Sequence, residues 1–570
     1  MEGRSRSVAK RLAREILPAL VALLCLMTGC SGGGGEPKEE PVVSSETEKP
    51  KTPQSAEAPD YSGVTTVREY SYVPAARLPQ VKEGAVAGYK WDATKKTIKF
   101  PINVWIGWLP LIAANHGHKP NEDSVFFKKH GFKVELVLVD DPVAARDGYV
   151  AGDWPVLWCT LDMLVIFSES LMKDARTAPR VFQQISWSNG GDGVVVRDSI
   201  KTVKDLKGKT IAYAQNSPSQ YYINALLLYG GLSPADVLHK YTSTAFEASA
   251  AFVNDPKIDA CVSWAPDIYN IAERVKGTHL LSTTADANRL IADVWAARAD
   301  FARDHPEIIR GLVEGIFEGV HEAKLKNADA LKWTADLYGM KAGDVEKMCG
   351  DAHFTNFAEN QQFLLNLNNP TNFETTWNSA RYVYRKLGLV DNPSNFDQVM
   401  DFSVLLDIRK DALFKNDVDE NKSPLVKKTN DDVILVNTIR INFFPNSDNL
   451  YEKARDEYGN VLEDKLYDPL VKESIKKVAE LAAKFGGSRV RIVGHTDSSM
   501  KGKVDASMVT ELSKRRAAAV KNELVKTWGF DESKFEVEGK GWAEPADTEN
   551  PGDQIKNRRV EIVILGGGGK

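Results

Sequence analysis

Short β-rich segments alternate with longer amphipathic segments from about Thr97 to Leu406 of the 570-residue chain. The β-rich segments include Val134–Val139 and Thr210–Ala214, and the amphipathic segments include Gln220–Tyr229 and Glu307–Lys324. Such alternation is typical of an α/β domain whose sheets are largely parallel. In these sheets, ligands bind beyond the carboxyl ends of strands, often at helix N-termini. The pattern therefore predicts a ligand-binding α/β domain over residues 97–406.

Within this region, a series of short motifs occurs in the order and spacing of one protein family. The motifs are Ile106–Pro110, Phe126–Glu135, Ile200–Ala212, Gly230–Val237, Ile258–Cys261 and Trp264–Pro266. Together they resemble the ABC-transporter solute-binding proteins for nitrate, taurine, alkanesulfonates and thiamine-precursor pyrimidines, the NMT1/THI5-like family. The resemblance implies a two-lobed periplasmic-binding-protein fold of type II, whose lobes close over a ligand like a hinge. It also implies a small polar solute as ligand and an ABC permease as partner.

Several residues of this region are predicted to line the ligand cleft. Ser217 suits a helix N-cap and Pro218 the first helical position, so backbone N–H groups there can hold an oxyanion or a carbonyl. Three tryptophans lie at predicted strand ends, where an indole offers apolar surface and an N–H donor. The predicted ligand-binding residues are Trp108, Trp158, Asp192, Ser217, Ser219, Gln220 and Trp264. Helix capping for Ser217 and core packing for the tryptophans stay open as alternatives.

Asp192 gives the one indication of ligand charge in the sequence. It follows Asn189-Gly190-Gly191 and precedes the predicted strand Gly193–Val196. Glycines allow the backbone to approach a ligand closely. A carboxylate in a desolvated cleft repels an anion such as nitrate and suits a cationic or hydroxyl group. The alternative is a turn aspartate that meets no ligand.

A second domain is predicted over residues 431–566. Its predicted strands are Val433–Phe443, Arg489–Val493, Phe535–Glu538 and Val560–Ile564. Its predicted helices carry the apolar stripes Val471, Ile475, Val478, Ala482 and Phe485, and Leu512, Val520, Leu524 and Trp528. These periods predict a smaller α/β domain of the βαβαβ type. Residues 407–430 are predicted to be a solvated linker, Tyr451–Leu466 a surface loop, and residues 567–570 a tail.

The C-terminal domain also carries a set of specific motifs. They are Phe443–Leu450, Val493-Gly494-His495-Thr496-Asp497, Leu512–Ala517, Gly539-Lys540-Gly541 and Asn557–Glu561. They resemble the OmpA-like peptidoglycan-binding domain, which also occurs in peptidoglycan-associated lipoproteins. The resemblance implies binding to the diaminopimelate stem of peptidoglycan, where a carboxylate suits the ligand ammonium and a guanidinium suits its carboxylate. The residues implied are Thr496, Asp497, Arg516, Asn557 and Arg558.

Two features depart from the OmpA-like pattern. Extra residues, Lys501–Asp505 among them, follow Asp497, and Val509 stands where the family usually has asparagine. The second departure removes one expected hydrogen bond to the ligand. A structural salt bridge between Asp497 and Arg516 is the alternative to ligand binding.

Residues 1–30 are typical of an export signal. A basic segment precedes the apolar run Ile16–Met27, which is too short for a permanent transmembrane helix. The run ends in Leu26–Cys30, which resembles a bacterial lipobox and implies a lipid anchor at Cys30; an ordinary cleaved signal is the alternative. Residues 31–96 are predicted to be a flexible tether and lead-in, because the segment to about Pro59 has few apolar residues. Ser31 after the cysteine implies sorting to the outer membrane.

Charge and cysteine content exclude several classes of function. The formal net charge is −5, which gives no electrostatic reason to expect nucleic acid as a partner. Cys159, Cys261 and Cys349 are isolated in sequence, with no Cys-x-x-Cys pair, which argues against a structural zinc site. A disulfide between Cys159 and Cys261 and buried free thiols both stay open.

The sequence contains no pattern that predicts catalysis. Nucleophile-elbow, zinc-protease and phosphate-loop motifs are absent from it. The close histidines of His116-Gly117-His118 have no acidic or cysteine companions. We therefore predict no enzymatic activity, no cofactor and no metal site.

Together these features predict a periplasmic, lipid-anchored solute-binding protein of an ABC-type nitrate, sulfonate or taurine uptake system. The OmpA-like domain would tether it to peptidoglycan, and the lipid anchor would hold it to a membrane. The alternative is a structural or sensory envelope protein that uses a repurposed solute-binding domain.

Overall fold

The computed structural model describes residues 63–82, 84–325, 327–420, 432–548 and 554–566. The predicted export signal with Cys30, the predicted tether up to residue 62, residues 421–430 of the predicted linker, residue 431 of the predicted second domain and the predicted tail 567–570 lie outside the described residues.

The central domain alternates strands and helices along the chain. Its strands are β1 (Thr97–Ile102), β2 (Lys133–Leu138), β3 (Val156–Thr160), β4 (Pro179–Ser188), β5 (Asp192–Arg197), β6 (Thr210–Ala214), β7 (Leu238–Thr242), β8 (Ala260–Trp264), β9 (Thr278–Thr283), β10 (Ala292–Arg298) and β11 (Ala352–Phe354). Its helices are α1 (Leu109–Asn115), α2 (Val125–His130), α3 (Pro142–Ala151), α4 (Leu161–Leu171), α5 (Pro218–Tyr229), α6 (Ala245–Asn254), α7 (Asp267–Arg274), α8 (Ala299–Asp304), α9 (Pro306–Lys324), α10 (Ala328–Tyr338), α11 (Ala342–Met348), α12 (Phe357–Leu364), α13 (Phe373–Lys386) and α14 (Ser403–Lys410).

Two sheets divide the central domain into two lobes. The first lobe contains a sheet of order β11-β4-β10-β3 and the parallel pair β1-β2, and the second contains a sheet of order β7-β6-β8-β5-β9. The predicted two-lobed fold of the type II binding proteins is confirmed. The predicted largely parallel pairing is wrong, because β5 and β10 follow crossings between the lobes and run antiparallel to their neighbours.

The two interlobe crossings lie side by side. The first, residues 188–192, leads from β4 to β5, and the second, residues 283–292, leads from β9 to β10. The Thr284 hydroxyl joins them, because its Oγ1 accepts from the backbone N–H of Gly190 at 2.9 Å and of Asp192 at 3.1 Å. The N–H of Ser188 also donates to the Ile291 carbonyl at 3.1 Å. The two lobes are thus connected through one compact, hydrogen-bonded hinge.

The end of the predicted lead-in lies against the central domain. The Thr66 N–H and hydroxyl donate to Asp267 at 2.8 and 2.6 Å, and Val73 forms an isolated bridge with Tyr241 of β7. Arg77 forms an exposed ion pair with Asp391. The described part of the lead-in, from residue 63, is therefore held by contacts and does not behave as a free tether.

The start of the predicted linker is also docked. Helix α14 continues to Lys410. Three side chains of α9 pair with acidic residues that follow α14 in the chain. The pairs are Arg310–Asp411 at 2.5 Å, His321–Asp417 at 2.9 Å and Lys324–Glu420 at 2.7 Å. Residues 407–410 belong to α14, and residues 411–420 are mostly exposed, so their assignment as a solvated linker stays a prediction beside these three ion pairs.

The C-terminal domain is a smaller α/β unit, as predicted. Its strands are β12 (Val433–Ile439), β13 (Lys453–Arg455), β14 (Val461–Leu466), β15 (Arg489–His495), β16 (Phe535–Gly541) and β17 (Val560–Leu565), and its helices are α15 (Val471–Lys484), α16 (Ala506–Trp528) and α17 (Gln554–Asn557). The main sheet has the order β12-β17-β15-β16, and only β15 and β16 pair in parallel. The predicted surface loop at residues 451–466 is wrong, because β13 and β14 form an antiparallel hairpin there.

The C-terminal domain contacts the central domain at the second interlobe crossing. The turn after α15, residues 484–488, faces residues 285–289: the Gly487 N–H donates to the Asp286 carbonyl at 3.2 Å, and the Arg289 N–H donates to the Lys484 carbonyl at 3.2 Å. A Cβ atom added to Gly487 would overlap the carbonyl oxygen of Ala285. A residue without a side chain is therefore required where the two backbones meet.

We predict that Gly487→Ala lowers the free energy of unfolding by ~1–3 kcal/mol, because the added methyl group must displace backbone at the domain contact. Urea unfolding followed by tryptophan fluorescence measures the change, and small-angle scattering should show a larger radius of gyration. Gly343→Ala is the matched control, since Gly343 lies in α11 with nothing within 4 Å of an added Cβ. There alanine should stabilise slightly. Equal behaviour of the two variants would contradict the close contact.

Candidate functional sites

Two buried carboxylates near the hinge are held by serines of one strand. Asp293 on β10 accepts from Ser186 Oγ at 2.6 Å, and Asp192 at the start of β5 accepts from Ser188 Oγ at 2.6 Å. Ser186 and Ser188 are two residues apart on β4, so they point to the same face of the sheet. The two serines therefore place Asp192 and Asp293 next to one another.

A third buried carboxylate, Asp162, reaches the same region from α4. Thr160 caps this helix and is the cross-strand partner of Asp293 in the β3–β10 pairing. The Tyr384 hydroxyl donates to Asp162 Oδ2 at 3.1 Å. The other oxygen, Oδ1, is buried and has no hydrogen-bond partner among the described residues. Asp162 thus has an open acceptor in the interior.

Burial raises the pKa of all three carboxyl groups. The side chains of Asp162, Asp192 and Asp293 are 2%, 4% and 7% exposed. Loss of water raises the pKa of Asp162 to about 6, of Asp192 to about 7 and of Asp293 to about 8. Negative charge on Asp162 adds to the rise at Asp192, and charge on both adds to the rise at Asp293. The three groups are therefore close enough to influence one another.

Trp105 is a site residue that the sequence analysis missed. Its indole N–H donates to Asp293 Oδ2 at 3.2 Å. Added Cβ atoms on Gly107 and Gly191 would overlap the indole of Trp105 from two sides. Glycine at both positions thus makes room for the ring beside the first interlobe crossing. Gly107 stands next to the predicted Trp108 in the sequence and was a usable signal for a buried tryptophan. The ring that it accommodates is that of Trp105, not that of Trp108.

The predicted residues at the start of α5 lie at the second lobe's side of this region. Ser217 Oγ donates back to the Ala214 carbonyl at 2.9 Å and makes no capping bond, while Gln220 Oε1 accepts from the Asn216 N–H at 2.8 Å. Ser219 is fully buried, and its hydroxyl has no partner within the described ranges. The predicted positions of Ser217 as N-cap and Pro218 as first helical residue are confirmed, although the Ser217 side chain does not cap, and the Ser219 hydroxyl is available.

Trp264 lies at the end of β8, directly across from Asp192 of β5. Its ring packs edge-on against Phe246 with the ring centres 5.5 Å apart. The indole is 5% exposed, and in the part of the chain that the structure describes its Nε1 has no acceptor. Trp264 therefore offers a buried, open donor beside the carboxylate of Asp192.

The other two predicted tryptophans have satisfied indole groups. Trp108 Nε1 donates to Asn103 at 2.8 Å, and its ring packs against Phe100. Trp158 Nε1 donates to the Val139 carbonyl at 3.0 Å. Both lie in the core of the first lobe, and their role in ligand binding stays a prediction.

In the C-terminal domain, Asp497 and Arg516 lie near one another without forming an ion pair. Asp497 Oδ2 lies 3.2 Å from Arg558 Nε, and its Oδ1 accepts from the Ser499 N–H at 2.7 Å. The predicted alternative of a structural Asp497–Arg516 salt bridge is wrong, because among the described residues Asp497 pairs with Arg558 instead.

Arg516 is fixed from the opposite side by a loop of the same domain. Its Nε donates to the Ser447 carbonyl at 3.0 Å and its Nη2 to the Phe444 carbonyl at 3.2 Å, while its guanidinium lies 5.0 Å from the centre of the Phe443 ring. Burial lowers its pKa to about 10, and the charge of Arg558 adds to this. Nη1 makes no hydrogen bond within the described ranges, so one edge of the guanidinium is available to an anion.

Glycines bring α16 and Arg516 close to the sheet. An added Cβ on Gly494 would overlap the carbonyl of Ser513, and one on Gly539 would overlap that of Thr510. The glycines of the two sequence motifs therefore serve the close approach of helix to strand. This packing sets the position of Arg516 relative to the loop after β15.

The remaining predicted residues of this domain line the same region. Thr496, which precedes Asp497, has a buried hydroxyl with no partner in the described part of the chain. Asn557 is buried, and its Oδ1 accepts from the Ala546 N–H at 2.7 Å. Val509, which stands where the family usually has asparagine, is buried on α16. The five predicted residues thus belong to one end of the domain, and their role in ligand binding stays a prediction.

The described part of the chain contains three cysteines that are all free thiols. Cys159 and Cys261 are free and buried, so the disulfide alternative is wrong. Within the described ranges, no group of three or more His, Cys, Asp or Glu side chains could hold a metal ion. The same part of the chain contains no helix with the length and hydropathy of a membrane span.

The three raised pKa values give a prediction for stability. A carboxyl whose pKa is raised in the folded state binds more protons than in the unfolded state, so stability falls as pH rises from about 4 to about 8. Asp293→Asn removes one such group, and each unit of its pKa shift is worth ~1.4 kcal/mol. We expect the variant to gain stability over the natural protein progressively across this range, as measured by urea unfolding at several pH values. Parallel pH profiles of stability in the variant and the natural protein would contradict the raised pKa of Asp293.

Comparisons with known proteins found proteins similar to each of the two domains. An alkanesulfonate-binding protein SsuA from Xanthomonas axonopodis pv. citri, bound to MOPS, is 16% identical with a TM-score of 0.42 over 54% of this chain and 99% of its own. The taurine-binding periplasmic protein of Escherichia coli K12 is 26% identical over 229 residues, 39% of this chain and 69% of its own. Outer membrane protein Omp38 of Acinetobacter baumannii is 35% identical over 96 residues, 17% of this chain and only 26% of its own.

Two family matches agree with these likenesses. Residues 122–330 match the family described as NMT1/THI5 like, and residues 464–559 match the OmpA family. The relative that matches the central domain over most of its own length is named as a binding protein. The chain carries an NMT1/THI5-like binding-protein domain followed by a domain of the OmpA family.

Proposed function

We propose that this protein is a solute receptor of the bacterial envelope that is tethered to the cell wall. Its central domain would bind a small polar solute and deliver it to an ABC permease, and its OmpA-family domain would bind peptidoglycan. Cys30 would carry a lipid anchor in the periplasm, with the outer membrane as the favoured site. The observation that carries the proposal is the pairing of a hinged two-lobed domain with an Asp497–Arg516 site in one chain.

The wall-binding part rests on the complementarity between the site and diaminopimelate. The end of this residue in a peptidoglycan stem has one ammonium and one carboxylate group. Asp497 offers a carboxylate for the ammonium, and the open edge of Arg516 offers donors for the carboxylate. The two side chains are not consumed by an ion pair with each other. Thr496 adds an unpartnered hydroxyl beside Asp497.

We predict that Arg516→Ala abolishes co-sedimentation of the protein with purified sacculi, because the ligand carboxylate loses its charged donor. Arg515→Ala is the matched control, since Arg515 is exposed on the same helix and faces Asp448 at 3.6 Å. It should sediment like the natural protein. Thermal unfolding separates loss of binding from loss of fold, and Asp497→Asn gives a second variant that leaves the loop around Ser447 intact. Sedimentation of all three variants would contradict the assignment.

The solute-binding part rests on the interior between the lobes. Two strand crossings join the lobes, and buried polar groups with open hydrogen-bonding atoms lie next to these crossings. Buried polar atoms without partners are costly in a folded protein, and they are commonly found where a ligand supplies the missing partner. The relatives of the central domain, by name, bind taurine and aliphatic sulfonates. A binding role without turnover accords with these names.

One observation favours a sensory or structural role as a second candidate. The OmpA-family domain contacts residues 285–289, which belong to the second interlobe crossing. A domain that is seated on a hinge can respond to lobe movement without any permease. If so, Gly487→Ala should change the affinity of the protein for sacculi in a solute-dependent way. A receptor that only feeds a permease should bind sacculi equally with and without solute, in the natural protein and in the variant.

A further inference from the structure

The carboxyl groups of Asp162, Asp192 and Asp293 influence one another electrostatically near the junction of the lobes. Asp293 stands on β10 between Thr160 of β3 and Ser186 of β4, and Asp162 follows Thr160 at the start of α4. Asp192 is tied to the same strand β4 through Ser188. Asp162 and Asp293 belong to the first lobe, whereas Asp192 begins the first strand of the second lobe. A group bound among them would contact both lobes.

No cationic side chain of the described residues pairs with these three acids. Among the described residues, none of the three forms an ion pair, although buried charges are normally paired. The other titratable groups that face them are Cys159, Tyr221, Tyr222, Tyr269, Asp351 and Tyr384. Burial raises the pKa of the cysteine and of the four tyrosines, so they are neutral near pH 7. Whenever these acids ionise, their negative charge is therefore not offset by a cation among the described residues.

Two buried donors beside the acids also lack partners. They are the hydroxyl of Ser219, at the start of α5, and the indole N–H of Trp264, at the end of β8 opposite Asp192; both lack a hydrogen-bond partner among the described residues. These groups belong to the second lobe and would satisfy an acceptor atom. They are independent of the acids, and they indicate that a ligand with an acceptor completes the site.

The chemistry of the site separates an organic cation from a metal ion. The described residues include no group of three or more metal-ligating side chains close enough to share one ion. A larger cation with several N–H donors can reach acids that are spread over three elements. The indole of Trp105, which lies between Gly107 and Gly191 and bonds to Asp293, adds an aromatic ring that favours an organic cation.

We propose that the ligand is a small organic ammonium ion that also carries a hydrogen-bond acceptor. Its positive group is held among Asp162, Asp192 and Asp293, and its acceptor faces Ser219 and Trp264. This inference rests on the proposed solute-binding function, because it specifies the ligand of the same cleft. Nitrate and simple sulfonates do not fit this proposal, since they would bring negative charge to acids that are ionised when the ammonium binds.

A matched pair of probes tests the charge requirement with the full chain. Taurine and isethionate share a sulfonate and differ by an ammonium in place of a hydroxyl, and ethanolamine retains the ammonium without the sulfonate. Putrescine and spermidine extend the amine series to larger cations. Calorimetric titration at pH 8 should show binding of at least one amine of this series and no binding of isethionate or nitrate.

The direction of the pH dependence gives a second measurement. An ammonium ion pairs with ionised acids, so a carboxyl with a pKa near 7 must release its proton on binding. Affinity for the bound amine should therefore rise about tenfold between pH 6 and pH 8. An anion that accepts hydrogen bonds from protonated acids would bind more weakly as pH rises. Opposite slopes thus distinguish the two ligand charges.

Asparagine variants assign the effect to the three acids. Asp192→Asn and Asp293→Asn should lower the affinity for the amine at least tenfold and flatten its pH dependence. Asp267→Asn is the matched control, because Asp267 is a buried carboxyl on α7 whose pKa is also raised to about 7 and whose partner is Thr66. It should bind the amine like the natural protein. Thermal unfolding verifies that each variant is folded.

The outcomes separate this inference from the function on which it rests. Binding of isethionate or nitrate in preference to every amine would overturn the cationic ligand and leave the solute-binding function in place. Absence of binding by either class would overturn both. Equal loss of amine affinity in Asp267→Asn and Asp192→Asn would overturn the assignment to the three acids.

Discussion

The hydrogen bonds of Thr284 to the first interlobe crossing are the interaction on which the rest of the structure depends. One hydroxyl accepts from Gly190 and Asp192 and also lies 2.7 Å from Ser188 Oγ. These contacts hold the two crossings together at the point where the sheets of both lobes end. They fix the orientation of Asp192 through Ser188. The hinge and the candidate ligand site are therefore built from the same few residues.

The three buried acids show how a binding site opposes folding stability. Each one loses hydration on burial, and the side-chain donors that the described residues offer in compensation are neutral hydroxyl and indole groups. A folded protein tolerates such groups because its apolar core contributes more than they cost. The raised pKa values reflect this cost directly, because protonation relieves the buried charge. A cationic ligand would relieve it as well, so ligand binding and stability would be coupled.

The sequence predicts the elements of the fold well and the composition of the site only in part. Strand β6 has the predicted bounds Thr210–Ala214, because a β-branched run between turns identifies a buried strand locally. Asp162 and Asp293 could not be predicted as partners, since they are 131 positions apart and meet only through the β3–β10 pairing. Trp105 was missed for a related reason: the glycine that accommodates it, Gly191, lies on another segment. Local patterns define strands, whereas the meeting of distant side chains depends on strand order.

The contact between the two domains extends this dependence to the C-terminal part of the chain. The Lys534 ammonium donates to the carbonyls of Phe485, Gly486 and Ser488 and thereby orders the turn that meets the second crossing. Burial lowers its pKa to about 7, and the positive charge of Arg289 on the central domain adds to this. A lysine in such a position is sensitive to the distance of the neighbouring domain, because withdrawal of Arg289 and entry of water would both raise its pKa. Protonation of Lys534 and separation of the domains therefore favour one another, which makes this turn the electrostatic link between the OmpA-family domain and the hinge.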